Sequence, residues 1–313
     1  MARRKKYHLR FTNPISRLLR RVLKIESCYI TCARRSDGGG AQAHAIMSTM
    51  AFANMAGLRY VHTPFQEIEH NNNSDDNWAN QWEDFFNLGE GEIPFKELDL
   101  SKINVIELKR SRHLKFRNNT LYIVTNCHDV CDSAPNAYES IKGKLLQKYN
   151  HSNARKPQLN HSAGSLNIAL HIRRGDVSAN ENAKRHTDNH TILNRLNYIL
   201  KDLQTEKQNV SIHVYSQGDT SDFLEFQEIG AKLHLNEDIF STFHDLRSAD
   251  VLIMSKSSLS YCAALLSTGH IIYDPFWHRP MQDWVAAEED AIIHSPTPQT
   301  LATPNMSSQS PRL

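Results

Sequence analysis

Between residues 165 and 274 the chain passes through nine short segments in which near-continuously apolar runs alternate with helical patterns, and no other feature narrows the fold so far. The apolar runs are SLNIALHI, VSIHVYS, AKLHL, DVLIMS and HIIYD. Between them lie TILNRLNYILKDLQ, SDFLEFQEIG, EDIFSTFHDLRSA and SLSYCAALLSTG, the last read as closed by Gly269. A strand without polar alternation is buried on both faces, and strand–helix–strand connections make neighbouring strands parallel. The pattern predicts an α/β fold with a parallel sheet between helical layers and its ligand at the carboxyl ends of the strands.

The first half opens in the same way. In IESCYITCARRSDGGGAQAHAIMSTMAFANMAGLRYVHTPF a strand, a glycine-rich turn, a helix over 41–56 ended by Gly57, and a second strand follow one another. INVIEL and LYIVTN read as strands, 138–150 as a helix, and EHNNNSDDN as a polar loop. The stretch 151–165 is polar, carries Pro and Gly and has no period, which marks a domain boundary. The organisation expected is a basic leader (1–24), two Rossmann-like domains (25–160 and 161–294) facing each other across a cleft, and a disordered Pro/Ser/Thr-rich tail (295–313).

Charge excludes one class of partner. The chain carries +2 overall, yet residues 1–24 hold nine Lys or Arg and no acid, so the remainder stands at −7 and is no general polyanion binder; nucleic acid is not expected. The leader has no apolar stretch long enough for a signal peptide, and no run approaches a membrane span. These features predict a soluble, cytoplasmic chain, the leader being either a solvated tail or a basic helix on ISRLLRRVL that touches a membrane surface. Of five cysteines, Cys28, Cys32, Cys127 and Cys131 form two C-x3-C pairs and Cys262 stands apart. Reduced thiols are the expectation, with a metal knuckle joining the pairs as the alternative.

Three loops fall at predicted strand ends of the second half: HIRRGD (171–176), SQGDTSD (216–222, opening on Ser216) and SKSSLS (255–260). In the last, Ser257 and Ser258 stand where a helix begins, and a helix N-terminus offers unpaired N–H groups and a positive dipole end to a phosphate. Serine also caps helices with no ligand present. Arg173 and Arg174, adjacent on an extended segment, project to opposite faces. One can grip a diphosphate while the other reaches sideways to a carboxylate such as Asp176, and Gly175 permits a sharp turn or close approach. A structural salt bridge would explain one arginine only. An Arg-Gly-Asp adhesion tripeptide would need an exposed loop tip in an exported protein. In the first half, SDGGGAQAH places Gly39 and Gly40 at a strand-to-helix turn, where they serve either close approach to a ligand or the turn alone.

Taken together, HIRRGD, VYSQGDTSDF, ADVLIMSKSSLSYCAALLS and GGGAQ resemble the fucosyltransferase superfamily of α1,2-, α1,6- and protein O-fucosyltransferases, closely over 167–275 and loosely over 28–65. The resemblance implies the two-domain glycosyltransferase-B fold, a GDP-fucose donor, a glycan acceptor, inversion at the anomeric carbon and no metal or other cofactor. It implies that His171 lies near the nucleotide, Arg173 contacts the diphosphate with Arg174 in support, Ser257 and Ser258 bind phosphate or sugar, and Asp176 is the motif's terminal acid. The chain departs from the family pattern at Leu259, at Tyr261 and Cys262, and at Ala41 and Gln42, which leaves another deoxysugar or a pentose as the alternative donor.

Glycosyl transfer builds negative charge on the leaving diphosphate and needs fixed positive charge there. Arginine and a helix N-terminus supply it, and no D-x-D motif stands at a strand end of the second half to recruit a metal. The acceptor hydroxyl needs a general base, for which His44, His62, Glu69 and Asp84 are the candidates. Either histidine could equally be structural. Trp78, Trp82, Phe85 and Phe86 form core or, alternatively, a sugar platform. A non-catalytic nucleotide- or glycan-binding module would keep the anion seat and lack the base.

Overall fold

Apolar β-branched and aromatic runs separated by glycine, proline and asparagine turns build two parallel sheets in this chain. The computed structural model describes residues 27–69, 71, 75–205 and 209–287; the leader with its ISRLLRRVL segment and the 295–313 tail lie outside them. The chain divides between Ala154 and Arg155 into two units. Among the described residues no helix is long and apolar enough to cross a membrane.

The first unit runs β1 (Cys28–Cys32), α1 (Gly39–Ala56), β2 (Arg59–His62), α2 (Trp78–Phe86), β3 (Ile93–Pro94), β4 (Asn104–Arg110), β5 (Thr120–Asn126) and α3 (Lys142–Asn150). Its strands lie in the order β3-β2-β1-β5-β4, every pair parallel. Alanine-rich α1 is buried over nearly its whole surface. Gly57 closes it in the left-handed conformation at φ 64°, its N–H reaching the carbonyls of Ala53 and Asn54, as the sequence predicts. The helix expected over 138–150 begins only at Lys142. Pro135–Ala137 form a 3-10 turn, and Tyr138 and Ile141 are buried ahead of the helix start.

The second unit runs β6 (Leu166–His171), α4 (Asn189–Thr205), β7 (Val210–Ser216), α5 (Leu224–Glu228), β8 (Lys232–Leu235), α6 (Ile239–Ser248), β9 (Val251–Ile253), α7 (Ser258–Leu266), β10 (His270–Tyr273) and β11 (Val285–Ala286). Every strand and helix read from the alternation is present. The order is β11-β10-β9-β6-β7-β8, again with every pair parallel. One side of the sheet is closed by a core in which Ile168, Leu170, Val214 and Ile253 meet Leu196, Phe223 and Phe226.

Gly269 does not close α7. The helix stops at Leu266 with Ser267 extended at its C-cap, and a side chain at Gly269 would run into the backbone carbonyls of Ala249 and Asp250. The glycine is there for close backbone approach at the foot of β10.

Candidate functional site

The order of the second sheet creates the site. From β6 the chain moves outward to β7 and β8, then returns to lay β9 on the opposite side of β6, so the loops leaving β6 and β9 diverge at their carboxyl ends. Open α/β sheets bind ligands at such a reversal. Two side-chain contacts join the loops there. Ser255 Oγ lies 2.9 Å from His171 Nδ1, and Arg173 Nη1 donates to Ser257 Oγ at 3.2 Å.

The two arginines take different directions, but not as the sequence suggested. Arg173, not Arg174, meets the carboxylate, its Nη2 standing 2.7 Å from Asp176 Oδ2. The reason is Gly175. Its φ of +81° folds the chain back and brings Asp176 onto the Arg173 side, and a side chain there would meet the amide of Gln217. Arg174 donates to the carbonyls of Arg173 and Thr187, at 2.9 and 3.0 Å, and to Asn189 Oδ1 at 2.5 Å, tying the loop to the start of α4. Arg173 Nε is buried and has no hydrogen-bond partner within the protein.

The β9 loop is a tight turn closed by the Ser257 N–H on the Ser255 carbonyl at 2.8 Å, with Lys256 at its tip. Ser257 is the N-cap of α7 and Ser258 its first residue, as predicted. Ser257 is extended there and its hydroxyl does not cap its own helix. The first-turn N–H groups of α7 stand beside a serine already facing a guanidinium. His171 is neutral at physiological pH, because burial pushes its pKa down to about 3 and the Arg173 charge adds to the effect. Ser216 donates to the Ile172 carbonyl at 2.7 Å and thereby pins the end of β7 to the end of β6.

Four further residues complete this edge and were not singled out from the sequence: Thr187, Arg195, Lys256 and Asp274. Asp274, just past β10, is buried, accepts from Thr187 Oγ1 at 2.5 Å and lies 3.2 Å from buried Arg195. Lys256 donates to the His186 carbonyl at 3.3 Å. These contacts join positions 70 to 87 residues apart. The only local signal was a lysine inside SKSSLS and an acid ending HIIYD.

The first unit has its own reversal between β1 and β5. Beside the end of β1 lies a shallow, open depression lined by Arg34, Arg35, Gln42, Thr63, Pro64 and Gln66. Gln42 is buried and satisfied, donating to the carbonyls of Asp37 and Glu67 and accepting from the Gln66 N–H. Gly39 and Gly40 are buried in the first turn of α1, and the space a side chain at Gly39 would need is filled by the Trp82 ring. Trp82, Phe85 and Phe86 are core, with Phe65, Trp82 and Phe86 in mutual ring contact; Trp78 packs edge-on to Trp82 at the margin.

The four base candidates separate by exposure. His44 is fully buried, its ring 4.2 Å from that of His128 and tilted by 38° to it, with Nε2 3.0 Å from the Tyr138 hydroxyl. His62 is buried and held at both nitrogens, by Glu83 Oε1 at 2.8 Å and the Tyr60 hydroxyl at 3.2 Å. Glu69 and Asp84 are exposed. All five cysteines are buried. Cys32 and Cys127 share a hydrogen bond as thiols, which raises the pKa of the first and lowers that of the second. Among the described residues no group of three or more clustered metal-ligand side chains includes a cysteine, so the C-x3-C pairs do not form a knuckle.

No family model matches the chain, and no curated protein matches it in sequence. Among solved structures it is similar to POFUT1 in complex with GDP, at a TM-score of 0.40 and 10% identity over 78% of this chain and 95% of that one. It is similar to the fucosyltransferase NodZ from Bradyrhizobium at a TM-score of 0.41 and 10% identity, over 78% and 94%. The E. coli heptosyltransferase WaaC with ADP-2-deoxy-2-fluoro heptose follows at a TM-score of 0.38 and 10% identity, over 87% and 97%. Likeness at this level says nothing of donor, acceptor or activity.

Proposed function

We propose that the chain is an inverting, metal-independent glycosyltransferase whose second unit holds the diphosphate of a nucleotide sugar, GDP-fucose in the first place, for transfer to a glycan. The observation that carries this reading is the contact of Arg173 with Ser257. It puts a guanidinium at the entrance of α7, where helix N–H groups and the dipole already favour an anion, and it does so at the reversal of the sheet. The fucosyl assignment rests on the motif resemblance over 167–275.

In the reaction the bond from the anomeric carbon to the diphosphate oxygen breaks, its electron pair leaving with the nucleoside diphosphate. The acceptor oxygen forms the new bond from the opposite face and gives its proton to a base. Arg173 and the α7 N-terminus would stabilise the charge growing on the leaving group. His171, uncharged and hydrogen-bonded to Ser255, would present its ring without adding charge. Asp176 would hold Arg173 in place before the donor arrives.

Arg173→Ala should weaken GDP binding by about 1.5–3 kcal/mol, the loss typical of a hydrogen bond to a charged group. Calorimetry checks it, and an unchanged affinity would remove Arg173 from the diphosphate. A thermal-shift comparison of GDP, UDP and their sugars tests the donor.

A second reading is favoured by His44 and His62, both enclosed and hydrogen-bonded: a nucleotide-binding module without transfer. GDP release from GDP-fucose in the presence of acceptor glycans separates the two, because a module releases none.

A further inference from the structure

The charges around the β6–β9 reversal do not all remain available to an anion. Arg173 and Asp176 at 2.7 Å form a pair that is neutral as a unit. Arg174 spends its donors on two carbonyls and the Asn189 amide oxygen; burial lowers its pKa, and the charges of Asp188, Asp222 and Glu225 act against that. Lys256 differs from both. At the tip of the Ser255–Ser257 turn, half-buried, its ammonium meets only the neutral His186 carbonyl, at 3.3 Å. Among the described residues, no carboxylate lies within 4.0 Å of it.

We propose that Lys256 is the second cation of the phosphate seat and contacts the diphosphate directly, adding to Arg173, whose charge Asp176 partly offsets, a charge that no carboxylate offsets. The proposal rests on the donor reading above and adds to it a residue that the motif resemblance does not assign. A nucleoside diphosphate brings more than one negative charge, and Lys256 is a cation beside Ser257 and the α7 N-terminus whose charge no neighbouring acid cancels. An ammonium is a compact point charge on a flexible stem, suited to following a phosphate oxygen. Its present bond is at the long end of the range and goes to a neutral oxygen, so a charged oxygen replaces it with gain. His186 reports the local field: burial lowers its pKa, and the charges of Arg174 and Lys256 lower it further against the pull of Asp188.

The test compares wild type, Lys256→Met, Lys256→Gln and Lys256→Arg by calorimetry with GDP, inorganic pyrophosphate and guanosine. Lys256→Met and Lys256→Gln should each lose roughly tenfold or more in affinity for GDP and for pyrophosphate, with no change for guanosine and a shallower dependence of GDP binding on salt. Lys256→Arg should recover most of the loss. A purely structural lysine would lower the unfolding temperature and leave pyrophosphate affinity and the salt slope where they were. Wild-type affinity for GDP and pyrophosphate in the Met and Gln variants would overturn the role of Lys256 alone. A wild-type protein that binds neither GDP nor pyrophosphate would overturn the donor reading itself.

Discussion

Three imidazoles of the second unit are kept neutral by their surroundings. Burial is the first cause in each, lowering His171 to about 3 and His213 and His244 to about 4. In the unfolded chain the same groups take up a proton near pH 6.5. The unfolded state therefore binds more protons below that value, and the stability these residues contribute is full above about pH 6.5 and falls as the pH drops towards 4. Urea midpoints should decline from pH 7.5 to pH 5, and a midpoint that stays level or rises would show that these histidines are not buried neutral. At this scale the sequence was informative about residue identity and poor about partners. The position of Arg173 and Ser257 at facing strand ends could be read from HIRRGD and SKSSLS. The partner of Asp176 could not, because it depends on which way Gly175 turns. Thr187 meets Asp274, and Lys256 meets the His186 carbonyl, only after β6, β9 and β10 are side by side.

Most elements long enough to show a period were legible, but α2 was not: over Trp78–Phe86 the aromatic residues drew the reading and the helix was missed. All nine segments between 165 and 274 formed, whereas β3 and β11, of two residues each, carry no pattern to read and exist only as additions to a sheet edge. The start of α7 at its serines followed from capping chemistry, and its end did not, because Gly269 serves a neighbouring backbone. Glycines with different duties should respond differently to the same change. Gly269→Ala should cost about 1–3 kcal/mol, as overpacking against fixed backbone does, since the added carbon meets two carbonyls. Gly143→Ala, on α3 with open space around it, should stabilise by about 0.4–1 kcal/mol through the unfolded chain. Denaturation of the two variants checks both signs, and an unharmed Gly269→Ala would mean that the foot of β10 can shift.

For the whole molecule, the two sheets share a plan: a first strand in the middle, two strands laid to one side, and the remainder returned to the other. Each half thus has a reversal, but among the described residues only that of the second unit combines a guanidinium, a serine at the N-cap position and a helix N-terminus. Ligand binding should therefore be felt unevenly. At a hundredfold excess over Kd, GDP should stabilise the folded chain by about 2.7 kcal/mol. Amide hydrogen exchange should slow most at 171–176 and 255–260 and stay unchanged along β4; uniform protection, or protection confined to the first unit, would place the nucleotide elsewhere.

β4 itself carries another consequence. It is the outer strand of its sheet, seven residues long and largely exposed, with Val105 46% accessible. An open strand of that length offers its row of amides and carbonyls to any other extended chain. Along NVIELKR, however, Glu107, Lys109 and Arg110 keep charge on the exposed positions. A second strand adding there would have to strip water from those charges, so among the described residues it is hydration that ends the sheet at β4.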